Sequence, residues 1–340
     1  MDSRSVSAAA VSNAIRSESY RIVLTLLPTV RREGMSHYAA VLHCFGVRKE
    51  IAHLWRHYIP QLALRHSFLM HGLLAFSALH LAYVKPENNS KYLQLSDKHQ
   101  SVALQEFRSI LASNIDPEHA DTSFALAATL SISFMARSCA LSESATMDLN
   151  AITELFVLTK GVATVLRSSA RERIVQGPLG EMLHGSAYPQ GIEVQLPLDV
   201  ASRFSALRLM LVTYGLHQPA LEYCRSALAE LEMTYKTIAY FAPNTDIEIG
   251  MVSRWQVAVS MEYVRLIQAR NPPALIILAH YAAAVASIRT AWYTQNWAEY
   301  ALCGISEMLD DDMQHWIQWP VQQAQDKMCI LGVSSPSYEE

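Results

Sequence analysis

From Tyr20 onward, apolar positions recur every three or four residues, and no segment sustains a two-residue alternation. That spacing predicts helices and no sheet. The stretch from Phe68 to Tyr83 is almost wholly apolar. A helix without a polar face has nothing to offer water, so it is expected at the centre of a fold. Pro86 and the pair Asn88-Asn89 end it. The next segment is amphipathic: Tyr92, Leu95, Val102, Phe107 and Leu111 lie on one side, with Lys98, Gln105 and Arg108 between them. Asp116-Pro117 predicts a helix start, a cap followed by proline in the first turn, opening a segment through Leu141. Further helices are expected over Ile152 to Leu166, Asp199 to Tyr214, Pro219 to Phe241, Val252 to Arg270, Pro273 to Gln295 and Trp297 to about Gln318. Between Ser168 and Pro197 lie Gly177, Pro178, Gly180, Gly185, Pro189 and Gly191, which predict an extended loop able to act as a hinge or lid.

The expected fold is therefore all-α: a single large, irregular helical domain with an apolar pocket. Residues 1–33 read as a mobile tail, 34–331 as the domain, and 332–340 as a polar C-terminal tail. No repeat of fixed period points to a solenoid.

Composition narrows the function classes. The 340 residues are 51% apolar and 17% charged, with a formal net charge of −4. Such a chain folds, and it carries no overall basic footprint for nucleic acid. The longest apolar run, Pro272 to Ala286, falls short of the roughly 20 residues of a membrane span, and the N-terminus lacks a signal-type apolar core. An intracellular protein, nuclear or cytoplasmic, is expected. The cysteines (Cys44, Cys139, Cys224, Cys303 and Cys329) are five, scattered and set among apolar neighbours. They fit buried hydrophobes better than a disulfide framework or a zinc site.

No phosphate loop, dinucleotide fingerprint, nucleophile elbow or zinc-protease motif is present. No cofactor and no metal are expected. His53 and His57 share a helical face, but no third ligand stands at helical spacing. His80 lies inside the most apolar helix, where a hydrogen-bonded core histidine is the plain expectation. Phe134, Met135, Met210, Tyr214 and Met261 sit on helices that should face inward. Ordinary core packing explains them; a pocket with adaptable walls is the sharper alternative, and His71 joins that set. The acidic run Asp310-Asp311-Asp312 beside Trp316 and Trp319 reads as a solvated face.

One longer pattern is more specific. The stretch Phe68-Leu-Met-His-Gly-Leu-Leu-Ala-Phe-Ser-Ala-Leu-His-Leu-Ala82 resembles a signature of the C-terminal regulatory region of fungal zinc-cluster transcription factors, nearest to the sterol uptake control proteins. Upstream stand Met35-Ser-His-Tyr38, Leu54-Trp55 and Pro60. Downstream, in order, come Tyr92, His99-Gln100, Ala103-Leu104, Phe107, Phe156-Val-Leu-Thr-Lys-Gly161, Pro273 to Ala282, Trp292-Tyr293, Trp297 and Trp316-Ile-Gln-Trp-Pro320. The resemblance implies an all-helical regulatory domain with a hydrophobic pocket for a sterol-like ligand. The family also carries a six-cysteine zinc cluster that binds DNA. Residues 1–43 contain no cysteine, and five in the chain cannot supply six ligands. Direct nucleic-acid binding by this chain is therefore not expected.

Two functions remain open on sequence. One is a transcription regulator that senses a lipophilic, sterol- or terpenoid-like molecule and acts through a protein partner, as a homo- or heterodimer. The other is a cofactor-free cyclase or isomerase of secondary metabolism on the same fold. Its candidate acids and bases would be His80, Asp121, Glu222, Glu262 and His280, each on an apolar helix. A carrier or a decoy pairing with longer relatives is a further option.

Overall fold

The computed structural model describes residues 48–112, 119–141, 149–167, 171–184, 191–288 and 290–326. Among them there are helices and no strands. The expected N-terminal tail, the Asp116-Pro117 start, the motif Met35 to Tyr38 and the C-terminal tail lie outside the described residues. The chain divides into two compact units: residues 1–140 with 164–179, and residues 141–163 with 180–340.

The first unit begins with α1 (Lys49–His53), a π-helical turn (Leu54–Tyr58) and α2 (Ile59–Arg65). His66 is extended and turns the chain into α3 (Ser67–Val84). Thirteen of the eighteen residues of α3 are buried, as its unbroken apolar composition requires. It packs against α4 (Asn89–Ala112) and α5 (Ala120–Ala140). Gly72 permits the approach of α5: a Cβ at this position would stand 2.5 Å from Leu126 Cδ1. Asn89 ties the far end, donating from Nδ2 to the carbonyls of Ala82 and Ala140. Both α3 and α5 are long and apolar enough to cross a membrane. Yet 72% and 89% of their apolar stretches are buried inside the protein, so they are read as core helices. Both runs exceed Pro272 to Ala286, taken from sequence as the longest.

The segment expected as one loop, 168–197, is helical in part. It contains α7 (Arg171–Gln176) and α8 (Gly180–His184). Ile174 and Leu179 are fully buried and anchor α7 against α5 in the first unit. In the rest of its described part, residues 177–179 form the turn between these helices and residues 191–197 an irregular stretch. Residues 168–170 and 185–190 lie outside the described set.

The second unit holds most of α6 (Leu149–Arg167), then α9 (Leu198–Thr213), α10 (Gln218–Phe241), α11 (Ile249–Ala258), α12 (Met261–Gln268), α13 (Pro272–Ala286), α14 (Trp297–Ser306) and α15 (Gln318–Asp326). Its centre is α13, buried along nearly its whole length and packed against α10, α14 and α15. The start of α13 is specified locally. Asn271 accepts from the Ala274 N–H at 3.2 Å, with Pro272 and Pro273 in the first turn. Arg270, at φ 55°, closes α12 in the left-handed region, and the Asn271 N–H bonds the Leu266 carbonyl at 3.0 Å.

Three segments expected to run unbroken are broken. The helix expected over Val252 to Arg270 stops at Ala258, where Val259 and Ser260 are extended. Ser260 caps α12, its oxygen accepting from the Tyr263 N–H at 3.1 Å. The carbonyls released at the end of α11 go to Lys160, whose Nζ donates to Gln256 O (3.2 Å), Val257 O (3.0 Å) and Val259 O. A lysine at a helix C-terminus satisfies carbonyls that the helix cannot. The helix expected over Pro273 to Gln295 ends at Ala286, where Ser287 hydroxyl turns back to Ala284 O at 2.6 Å. That expected over Trp297 to Gln318 ends at Ser306 and gives way to a 3-10 stretch, Asp311–Trp316.

Candidate functional site

The second unit is built around aromatic rings from five helices. Trp255 of α11 and Tyr281 of α13 stack at 4.3 Å, both without solvent exposure. Phe156 of α6 meets Trp255 edge-on at 5.6 Å, and Tyr263 of α12 does so at 5.7 Å. Trp297 of α14 meets Tyr281 edge-on at 6.0 Å. Edge-to-face contacts set positive ring edges against negative faces and fix the rings more tightly than area burial alone.

Part of this cluster is satisfied internally. Trp255 Nε1 donates to Ala227 O at 2.8 Å, and the Tyr263 hydroxyl donates to Ala274 O at 2.9 Å. Three other buried polar groups fall short of hydrogen-bond geometry among the described residues: Gln256 Nε2 and the Tyr281 hydroxyl, which face each other, and Trp297 Nε1. All three can donate. Burial pushes the Tyr281 phenol well above its usual range, with Gln256 pulling the other way, so it stays protonated. Each unmet donor in so dry a place carries a desolvation penalty of about 1–3 kcal/mol, so such groups call for a partner. A molecule bearing an acceptor oxygen on an apolar body fits that demand chemically.

A second cluster in the same unit surrounds Trp319 of α15. The guanidinium of Arg203 (α9) lies over its ring at 4.7 Å, a cation–π contact. The His280 ring (α13) stacks on it at 5.8 Å. His280 Nδ1 bonds the Ile276 carbonyl at 2.9 Å, and the His280 carbonyl accepts from the Tyr235 hydroxyl at 2.8 Å. Burial pulls the His280 pKa down to about 4; the Ile276 carbonyl opposes this and the Arg203 charge adds to it. At neutral pH this imidazole carries no charge.

The candidates named from sequence are divided between the units. Within the first unit, His71 is half-buried and its Nδ1 lies 2.8 Å from Nδ1 of His99 on α4. His80 is half-buried, its ring 6.3 Å from Tyr83. Asp121 is buried at the start of α5 and accepts from the Tyr58 hydroxyl at 2.5 Å. Met135 is buried, and Phe134 beside it is partly exposed. Within the second unit, Met210 is buried, Met261 is partly exposed and Tyr214 is exposed at the end of α9. Glu222 and Glu262 turn outward and pair with Arg225 (3.9 Å) and Arg265 (3.6 Å) one helical turn away. His280 is the candidate that reaches the interior of this unit as an ionisable group. Its Nδ1–carbonyl bond and its stacking on Trp319 are what a packing role requires.

Gln256, Arg203 and the convergence of Trp255, Tyr281 and Trp297 escaped sequence reasoning. Trp297 and Trp319 stood in the quoted motifs, so tryptophans spaced across several helices were the available signal. Gln256 gave none, being one polar residue on an otherwise ordinary helix.

Comparison with known proteins finds likeness to fungal transcription factors. Residues 36–176 match the family model described as the fungal specific transcription factor domain. A Zn(2)-C6 fungal-type transcription factor of Gibberella zeae is 25% identical over 79% of this chain and 56% of its own length. Sterol uptake control protein 2 of Candida albicans is 32% identical over 39% of this chain and 18% of its own. The chain thus spans about half the length of the first relative and less than a fifth of the second. The resemblance to fungal zinc-cluster transcription factors read from the motifs is shown by these matches.

Proposed function

We propose that this chain is a regulator of transcription that responds to a lipophilic molecule of sterol or terpenoid type and acts through a protein partner in the nucleus. The observation that carries this reading is the match of residues 36–176 to the fungal specific transcription factor domain. The 25% identity to a zinc-cluster factor across 79% of the chain extends it beyond that segment. The aromatic cluster of the second unit supports the choice of ligand class. Its rings are Trp255, Tyr281, Phe156 and Tyr263, and the buried polar groups short of hydrogen-bond geometry are Gln256 Nε2, Tyr281 Oη and Trp297 Nε1. Apolar walls with a few placed polar groups are the usual make-up of a small-molecule site.

The reading has two separable tests. Native mass spectrometry of chain purified from a fungal host should show a bound apolar molecule carrying at least one oxygen. Gln256→Leu should lower its occupancy while the fold, followed by circular dichroism, is kept. An empty chain would remove the ligand part. Deleting the gene should change the level of a defined set of transcripts, and an unchanged transcript profile would remove the regulatory part.

A further inference from the structure

The outer face of α9 is apolar where a surface helix should be polar. Leu198 is 87% exposed, Leu209 64% and Val212 57%. The inner face, with Val200, Phe204, Leu207 and Leu211, is fully committed to the core of the second unit. Leu198, Ser202, Ser205, Leu209 and Val212 follow one another at steps of four and three, so they form one straight seam. No charged residue interrupts it. Its two serines are already satisfied: Ser202 Oγ donates to Leu198 O at 2.7 Å and Ser205 Oγ to Ala201 O at 3.1 Å. Covering the seam therefore strands no hydroxyl donor.

From Leu198 to Leu209 the seam reads the same from both ends. About a midpoint between Arg203 and Phe204, Leu198 mirrors Leu209 and Ser202 mirrors Ser205. We propose that this face is a self-association surface, on which α9 of a second copy of this chain lies antiparallel about a twofold axis. Leu198 of each copy then meets Leu209 of the other. The paired serines at the axis are small enough for the helices to approach closely. The flanking charges raise no objection: Asp199 falls across from Ala206 of the second copy, and Arg208 across from its Ala201.

The area sets the strength. The three exposed apolar side chains of the seam offer roughly 350 Å² a copy, within the size range of the largest patch on an ordinary monomer. With their flanks, a helix pair of this length buries about 1,200 Å² in all, the lower edge of specific interfaces. The dimer should be reversible, with a dissociation constant of about 10 µM. This surface is independent of the regulatory reading above.

Sedimentation velocity on the whole chain, from about 1 to 200 µM, tests the surface. The expected result is a concentration-dependent monomer–dimer equilibrium that Leu209→Asp weakens at least about tenfold without changing the thermal midpoint at about 1 µM, where both chains are monomers and Leu209 is exposed. Leu198→Lys should also abolish self-association. Mixing that variant with the Leu209→Asp variant should restore a dimer, since antiparallel pairing sets the two new charges in one layer. A chain that stays monomeric throughout, or a dimer indifferent to Leu209→Asp, overturns the proposal. So does a fall in thermal midpoint for Leu209→Asp at about 1 µM, which would mean that the face is covered within one copy. A dimer not restored by mixing overturns the antiparallel register.

Discussion

His280 should make the second unit acid-sensitive well above the range where most carboxylates titrate. Its imidazole is 4% exposed, its Nδ1 engages the Ile276 carbonyl at 2.9 Å, and Trp319 covers one face. The Arg203 guanidinium lies on the same tryptophan, so a proton on His280 would arrive beside an existing positive charge. The folded pKa is about 4 against an ordinary 6.5, with burial as the main cause. Between those values the unfolded chain binds a proton that the folded chain refuses. Stability is therefore full above pH 6.5 and falls as the pH drops toward 4. Each pH unit inside the window removes about 1.4 kcal/mol, so the complete loss is about 3 kcal/mol, of which about 2 kcal/mol has gone by pH 5. Burial lowers His57 and His66 in the first unit as well, so their acid response has the same sign. The assay is urea unfolding at pH 7.5 and pH 5.0, followed by tryptophan fluorescence, on the native chain and on His280→Gln. The variant should lose about 2 kcal/mol less than the native chain between the two conditions. Equal losses would show that His280 accepts a proton in the folded state, and the reasoning from burial would fail.

Three further outcomes are expected. Gly72→Ala gains about 1 kcal/mol of helix propensity but drives a methyl into buried Leu126, an overpacking of about 1–3 kcal/mol, so the thermal midpoint should fall; a rise would show that α5 moves away freely. Tyr58→Phe leaves the buried Asp121 carboxylate without its donor and should destabilise the first unit by about 2 kcal/mol in urea titrations, whereas Asp121→Asn should cost less. Lys160→Met keeps the apolar stem but removes three carbonyl contacts, for a loss of about 2 kcal/mol; amide exchange across Val257 to Tyr263 should quicken, and unchanged exchange would refute the capping role.

The helices legible in the sequence were those whose signal is local. The amphipathic spacing of Tyr92, Leu95, Val102 and Phe107 returned α4, and the unbroken apolar runs returned α3 and α13. The break at Val259 was not legible. Nothing between Val252 and Arg270 forbids a helix, and the group that terminates α11 is a lysine 96 to 99 residues upstream. The division into two units was equally silent, because no shift in composition marks it. Among the site candidates, placement on an apolar helix was known but the angle around it was not. Glu222 and Glu262 therefore turned to solvent while His280 turned to the core. Gln256 stands out only through its place against the Tyr281 hydroxyl in the folded chain.

The Lys160 clamp also orders events in time. The corner between α11 and α12 is held by a side chain almost a hundred residues away along the chain. Closing so long a loop is slow relative to winding either helix, so both can form before their junction is locked. The junction should then be absent from the folding transition state. Lys160→Met would accordingly leave the refolding rate near its native value and express its whole penalty in faster unfolding. A residue in this position governs how long the native state lasts rather than how quickly it is reached.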